Sequence, residues 1–546
     1  MYDFKFDFVI VGAGSAGCVL ANRLSENPSH RVLILEAGKR DSNWLIHIPM
    51  GVAKIWNQDR FNWSYHSEPE PHMENRKLYH PRGKVLGGSS AINMMAYVRG
   101  NSGDYDRWAQ MGLTDWSYER VLPYFRKAEA FIKGADDFHG EDGPLKTQPN
   151  PSTDPLMEAY FEAGKAAGLS VTDDFNGAEQ EGLARMQFNI GDGRRQSAAV
   201  AFLHPVLNRP NLTLVTEAHV NRIDFDGTKA TGITYSQSGR SFTATAAREV
   251  ILASGAFNSP QLLMRSGVGP VAHLREAGIR VVADRESVGG NLQDHPSVAI
   301  EFKRKRRSDF HRELRLDRLS FNMLRALFKK DGPATMPLGF GTGFVKSAPE
   351  IALPDIQLFF RLFSVQAHEW FPLIKPAGMD GLGFLACHLR PESRGIVRLD
   401  PENPNGPPRI LNNLLSTDYD RRAMRFSFKL MRTLAGAGSF DRDIGEETLP
   451  GPDVKGDDEI DAFIRQSAVT VYHPVGTCRM GIDEASVVDP DLRVRGCQNL
   501  RVVDASVMPD IVGGNLNAPV MMIADKASDI ILGRDQLSAA ALQAGP

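Results

Sequence analysis

Two stretches near the end of this 546-residue chain carry side chains suited to moving a proton. TVYHPVGTCRMG, residues 470–481, places His473 between an aromatic residue and a proline. GGNLNAPVMMIADK, residues 513–526, offers Asn515 and Asn517. An imidazole titrates near neutrality and suits general-base work, which accelerates proton-coupled steps by about 10²–10⁴-fold. Pro474 fixes its own φ and biases His473 toward extended backbone, which helps aim a side chain from a non-helical segment. A carboxamide both donates and accepts, so Asn515 and Asn517 suit polar contacts of either sense. Plainer readings stand beside these. A lone histidine is more often structural, and Asn515 and Asn517 suit a turn or cap before a helix whose first turn holds Pro519.

A third constellation suits phosphate binding. The apolar run Phe8–Val11 reads as a buried parallel strand. It is followed by GAGSAG, with Gly12 for the tight turn, Gly14 for backbone approach to a pyrophosphate and Gly17 for close helix packing. The helix then reads CVLANRLSENP, with Val19, Leu20 and Leu24 on its inner face. Its N-terminus presents free N–H groups and a partial positive charge. A second strand over 31–35 ends in Glu36, 19 residues after Gly17, the spacing that sets a carboxylate on ribose hydroxyls. An acid there argues against a 2′-phosphate, hence against NADP, but leaves NAD and FAD open.

PRGKVLGGSSAIN, residues 81–93, reads as a loop pressed against something flat or anionic, or as a plain turn. With GAFNSPQLLMRSGVG at 255–269 it matches both signatures of the glucose–methanol–choline (GMC) oxidoreductases. The resemblance spans the chain through EAG at 36–38, NLQDHP at 291–296, YHPVGTCRMG at 472–481 and VVDASVMP at 502–509. It implies FAD and an α/β (α+β overall) fold: a Rossmann-type FAD-binding domain plus a substrate domain with a large antiparallel sheet flanked by helices. It implies cofactor contacts at Gly14, Ser15, Ala16, Glu36, Val85, Gly88, Asn93, Val220, Asp504, Ala505 and Asn517, beside Gly12 and Gly17 of the glycine turn. Some relatives tie FAD to a histidine just before the signature asparagine; here that position is Ile92, which predicts dissociable FAD.

The resemblance also gives His473 the role of base and Asn515 that of its partner across a substrate hydroxyl, with hydride passing to flavin N5. Val471, Tyr472, Met94 and Met95 are expected to line the pocket, although each would serve equally in a core. The expected reaction is oxidation of an alcohol, a primary one in the first place, to an aldehyde or ketone. Electrons then pass to a quinone or other acceptor; an O₂-using oxidase is the alternative, and a hydroxynitrile-type lyase with non-redox FAD is the rival of another class.

Length suits two interleaved domains. The FAD domain is expected over 1–155, 205–300 and 465–546, and the substrate domain over 156–204 and 301–464. A net charge of −3 offers no general attraction to nucleic acid. Four scattered cysteines and the lack of any HExxH leave no zinc or disulfide framework. A strand beginning by about residue 7 leaves no room for a signal peptide, and no apolar run approaches the ~20 residues of a membrane span. A cytoplasmic protein is the expectation.

Residues 303–330 depart from the average, with 11 Lys/Arg against 3 Asp/Glu. Leu316, Leu319, Met323 and Leu327, and less regularly Leu324, recur at helical spacing. This is either a solvated helix or lid over the pocket, or a basic amphipathic helix in peripheral contact with the cytoplasmic face of a membrane.

Overall fold

The computed structural model describes residues 4–336 and 340–540. Two sheets organise the chain. In the first, Phe4–Val11 lies centrally and pairs in parallel with Val32–Leu35 on one side and Arg240–Leu252 on the other. Leu212–Val215 extends it beyond Val32–Leu35, and Leu500–Val502 pairs in parallel with the end of Arg240–Leu252. The antiparallel strands Ala218–Asp226 and Lys229–Gln237 complete the sheet. Buried runs such as Val32–Leu35 and Val250–Leu252 suit strands covered on both faces. Two helices, Ser15–Leu24 and Asn517–Leu532, pack side by side on the sheet. Their contact is tied by Arg23, which donates to Asp525 at 2.8 Å.

Gly17 lies at the crossing of the first helix and strand. A Cβ there would lie 1.9 Å from the Gly12 carbonyl oxygen, so only glycine allows the helix to sit this close.

The second sheet is antiparallel throughout, in the order Ile444–Leu449, Pro296–Arg304, Gly381–His388, Ile356–Arg361, Phe340–Val345 and Gly182–Arg185. The strand Pro296–Arg304 runs without a break across residue 300. Val469–Thr470 pairs with its first residues, immediately before His473. Helices Pro155–Ala166, Asp418–Ala435 and Asp457–Ser467 cover this sheet, and Tyr160, Phe360, Phe384 and Phe440 pack between them.

The segment 303–330 forms two helices, Asp309–Glu313 and Leu316–Lys329. Leu319, Met323 and Leu327 turn inward onto Ile48, Met50 and Ala334. Among the described residues no helix is long and apolar enough to cross a membrane.

Candidate active site

One cavity of about 1360 Å³ runs from the glycine turn of the first sheet to the inner face of the second. Typical small-molecule pockets hold about 300–1,000 Å³, so this one has room for an elongated ligand and a second, smaller molecule.

At its nucleotide end the wall is formed by Gly12, Gly14, Ser15, Ala16 and Glu36, with Gly88, Asn93, Val220, Asp504, Ala505 and Asn517 around them. Gly88 has φ +53, and a Cβ on it would meet Gly14 Cα at 2.7 Å, so the two signature loops touch through bare backbone. Gly14 precedes the first helix and provides no side-chain cap, which leaves N–H groups at that end free for an anion. Glu36 is buried and accepts from the Ala13 and Gly38 N–H groups at 3.0 and 2.8 Å. Burial pushes its carboxyl up to about 7, against the opposing pull of those N–H groups. Asn517 opens the last helix; its Oδ1 accepts from Ser15 Oγ at 2.7 Å, while its buried Nδ2 has no hydrogen-bond partner among the described residues. A buried amide left in this way is costly unless a ligand satisfies it. Glycine cradle, free helix end, buried acid and orphaned amide together fit a dinucleotide.

Two expected contacts differ. Val85 is not on the cavity wall; its side chain packs with Ile46, Ile55, Phe61, Ala91 and Ile92, because an apolar side chain gains more there than beside a polar nucleotide. Gly17 is likewise off the wall and serves helix packing. Asp504 reaches the cavity, but both its oxygens are engaged: Gly255 N and Ser259 Oγ donate to Oδ2, and Ser506 N and Oγ to Oδ1. It fastens the turn before helix Gly255–Arg265 to residues 504–506.

At the reactive end His473 and Asn515 meet, with Asn515 Nδ2 3.2 Å from His473 Nε2. Gln357 Nε2, from the second sheet, faces Asn515 Oδ1 at 3.5 Å, in keeping with an amide that turns its nitrogen toward the imidazole. Val471, Tyr472, Met94 and Met95 all line the cavity. Tyr472 holds φ +67, a left-handed conformation unfavourable for a tyrosine. Arg82 donates to its carbonyl at 2.6 Å and Trp56 meets its ring edge-on, which hold the turn that presents His473. Burial pushes the His473 imidazole down to about 3, and the Arg82 charge acts in the same direction. The ring is therefore neutral at physiological pH.

Three further residues support this end. Asp294 Oδ1 accepts from the backbone N–H of both His295 and His473 at 2.8 Å, which pins two strands to one carboxylate. Burial raises that carboxyl to about 7, and the two N–H groups and Arg82 oppose the rise. The His295 ring lies behind the His473 ring, its Nδ1 3.1 Å from His473 Nδ1. Asp294 and His295 both fall in NLQDHP, so the motif marked the place without giving the role. Arg195, wholly buried, donates to the Asn93 side chain at 2.8 Å and to the Asn93 and Ile46 carbonyls. With no carboxylate beside it among the described residues, burial pushes its guanidinium down to about 9. Nothing in its local sequence announces that task.

The chain as a whole is similar to known proteins. Two family models, both described as GMC oxidoreductase, match residues 6–297 and 391–524. An alcohol dehydrogenase [acceptor] of Pseudomonas putida is 45% identical over 96% of this chain and 96% of its own. The mitochondrial choline dehydrogenase of Homo sapiens is 44% identical over 98% of this chain and 91% of its own. Among solved structures, a formate oxidase of Aspergillus oryzae RIB40, studied for modification of its FAD, is 28% identical with a TM-score of 0.89, covering 97% of this chain and 98% of that one. The chain belongs to the GMC oxidoreductase family.

Proposed function

We propose that the chain is an FAD-dependent oxidoreductase that oxidises a primary alcohol held between His473 and Asn515. Family membership supports the class of reaction, and the contact between His473 Nε2 and Asn515 Nδ2 carries the assignment of residues. With its amide turned this way Asn515 is a donor toward His473 Nε2, so that nitrogen carries a lone pair. The proton of the neutral ring is then on Nδ1, donated to His295 Nδ1. A substrate hydroxyl lying against both side chains, and replacing their mutual hydrogen bond, accepts from Asn515 and donates to His473 Nε2. His473 takes the hydroxyl proton as the carbinol carbon loses hydride. FAD, when bound, supplies the hydride acceptor. Gly14, Ser15, Ala16, Glu36, Gly88 and Asn517 hold the nucleotide, and Ile92, an alkyl side chain on the cavity wall, leaves it unattached.

The lining favours an uncharged alcohol. Met94, Met95, Met186, Phe188, Phe359 and Leu385 make the wall beside Val471 apolar. The carboxylates on the wall are all engaged: Glu36 and Asp504 as above, and Glu369 with Lys54 and Lys375. None of them is left to balance a cationic substrate. A discontinuous FAD domain and an interleaved substrate domain, expected over 1–155, 205–300 and 465–546 and over 156–204 and 301–464, follow the first and second sheets except at two bounds: Pro296–Arg304 crosses residue 300 and Val469–Thr470 pairs with the second sheet, which moves the bounds to about 295 and 471. Electrons leave to a quinone or another acceptor. A panel of alcohols assayed under air for peroxide and under argon with an artificial dye tests the reading. Dye reduction without peroxide supports it, peroxide as the main product assigns an oxidase, and no flavin bleaching with any alcohol refutes it.

A further inference from the structure

The helix Leu316–Lys329 buries only one of its two apolar faces. Phe321, Leu324 and Phe328 follow each other at helical spacing on the outer side and are 65%, 56% and 77% exposed. Beside this ridge the chain makes a second apolar tip. Phe371 and Lys375 close a short turn that thrusts out Leu373, fully exposed, and Ile374, 77% exposed. The two features are fastened together at Trp370. Its N–H bonds the Leu314 carbonyl at 3.3 Å, its carbonyl accepts from Leu316 N at 2.9 Å, and its indole stacks on His311. Scattered exposed apolar residues are ordinary, but a rigid cluster of five is not.

The charge around the cluster is one-sided. Asp309, Glu313, Asp317 and Asp331 are each neutralised by Arg312, Arg318, Arg315 and Arg325. Arg306 and Arg307 before the ridge and Lys329 and Lys330 at its end are exposed, with no carboxylate in ion-pair range among the described residues. The ridge also borders the cavity. Leu324 lies on both the outer surface and the cavity wall, and so does Val365, so the cavity opens between them.

We infer that the ridge Phe321–Leu324–Phe328 and the tip Leu373–Ile374 form a docking surface for an anionic lipid bilayer. Apolar side chains enter the interface while the four unpaired cations meet lipid phosphates. A second copy of the chain is the poorer occupant, because a two-fold contact on this face brings like charges together. Docking sets the cavity mouth against the lipid and opens it to alcohols dissolved there.

The test is co-sedimentation of the FAD-loaded full chain with vesicles of phosphatidylcholine and phosphatidylglycerol in equal amounts, and with vesicles of phosphatidylcholine alone. Binding is read without substrate, so it stands or fails independently of the alcohol chemistry. Expected are binding to the anionic vesicles, its loss on raising salt, and a drop of at least about tenfold in the triple variant Phe321→Ser, Phe328→Ser, Leu373→Ser. That variant touches no residue of the site and is expected to keep FAD and turnover of a short water-soluble alcohol. Failure of the wild type to bind, equal binding by the variant, or a wild-type dimer that the variant converts to monomer each overturns the inference.

Discussion

His473 and His295 face each other through their Nδ1 atoms at 3.1 Å, although 178 residues separate them in the chain. Only one proton can occupy that line; in the proposed reading it rides on His473, which leaves Nε2 of that ring to meet substrate. His295 is buried, and its desolvation and the neighbouring His473 hold it well below the ordinary histidine range, which keeps it neutral. In the proposed mechanism it acts through His473, as a positioning residue.

Replacement of His295 separates these roles. His295→Leu removes the acceptor and frees the His473 tautomer, so kcat should fall by about tenfold or more with KM little changed. Without the Nδ1 acceptor the imidazolium loses stabilisation, so the acid limb of the kcat profile should move to lower pH. His295→Asn, whose Oδ1 can accept the same proton, should recover most of the rate. Equal losses in both variants with an unmoved profile would reduce His295 to a packing residue.

The position just before the signature asparagine is Ile92, nearly buried and in contact with Val85 and Ala91. It has no nucleophile to offer. Heat or acid precipitation should release all the yellow colour to the supernatant. Flavin that stays with the precipitated chain after a denaturing wash would contradict this.

Glu36 sets a pH signature on the FAD-free protein. Its carboxyl is raised from 4.5 to about 7 by burial. Between those values the folded chain holds a proton that the unfolded chain has lost, so stability falls as pH rises through the window. Below 4.5 both states are protonated and the cost vanishes. The loss amounts to about 3 kcal/mol across the window, and Asp294, raised in the same direction, adds to it. In Glu36→Gln the Tm should depend less on pH between 4.5 and 7 than in the wild type. Bound FAD, donating ribose hydroxyls to the carboxylate, should also flatten the dependence. A wild-type apoprotein that gains stability from pH 5 to 7 would refute the assignment.

Local motifs were the legible part of the molecule. Gly12, Gly14, Gly17 and Glu36 act within one strand–helix–strand unit, so their spacing alone announces a dinucleotide. The pairing of His473 with Asn515 is long-range and left no periodic trace; only resemblance to a family pointed to it. His295 and Arg195 escaped because their tasks, fixing a tautomer and holding a loop across some hundred residues, exist only in three dimensions. In the basic segment, helical spacing revealed one apolar stripe, Leu316, Leu319, Met323 and Leu327, and not the second, outer one. Contact with Ile48 and Met50 decided which face turned inward, and that choice left Phe321 and Phe328 outside.

The central claim is that His473 takes the hydroxyl proton as hydride leaves the substrate carbon. Anaerobic rapid mixing of FAD-loaded protein with a primary alcohol, following loss of the flavin band, reads that step alone. His473→Ala should retain its full complement of FAD and bleach about 10²–10⁴-fold more slowly than the wild type. Bleaching at the wild-type rate in that variant would contradict the account.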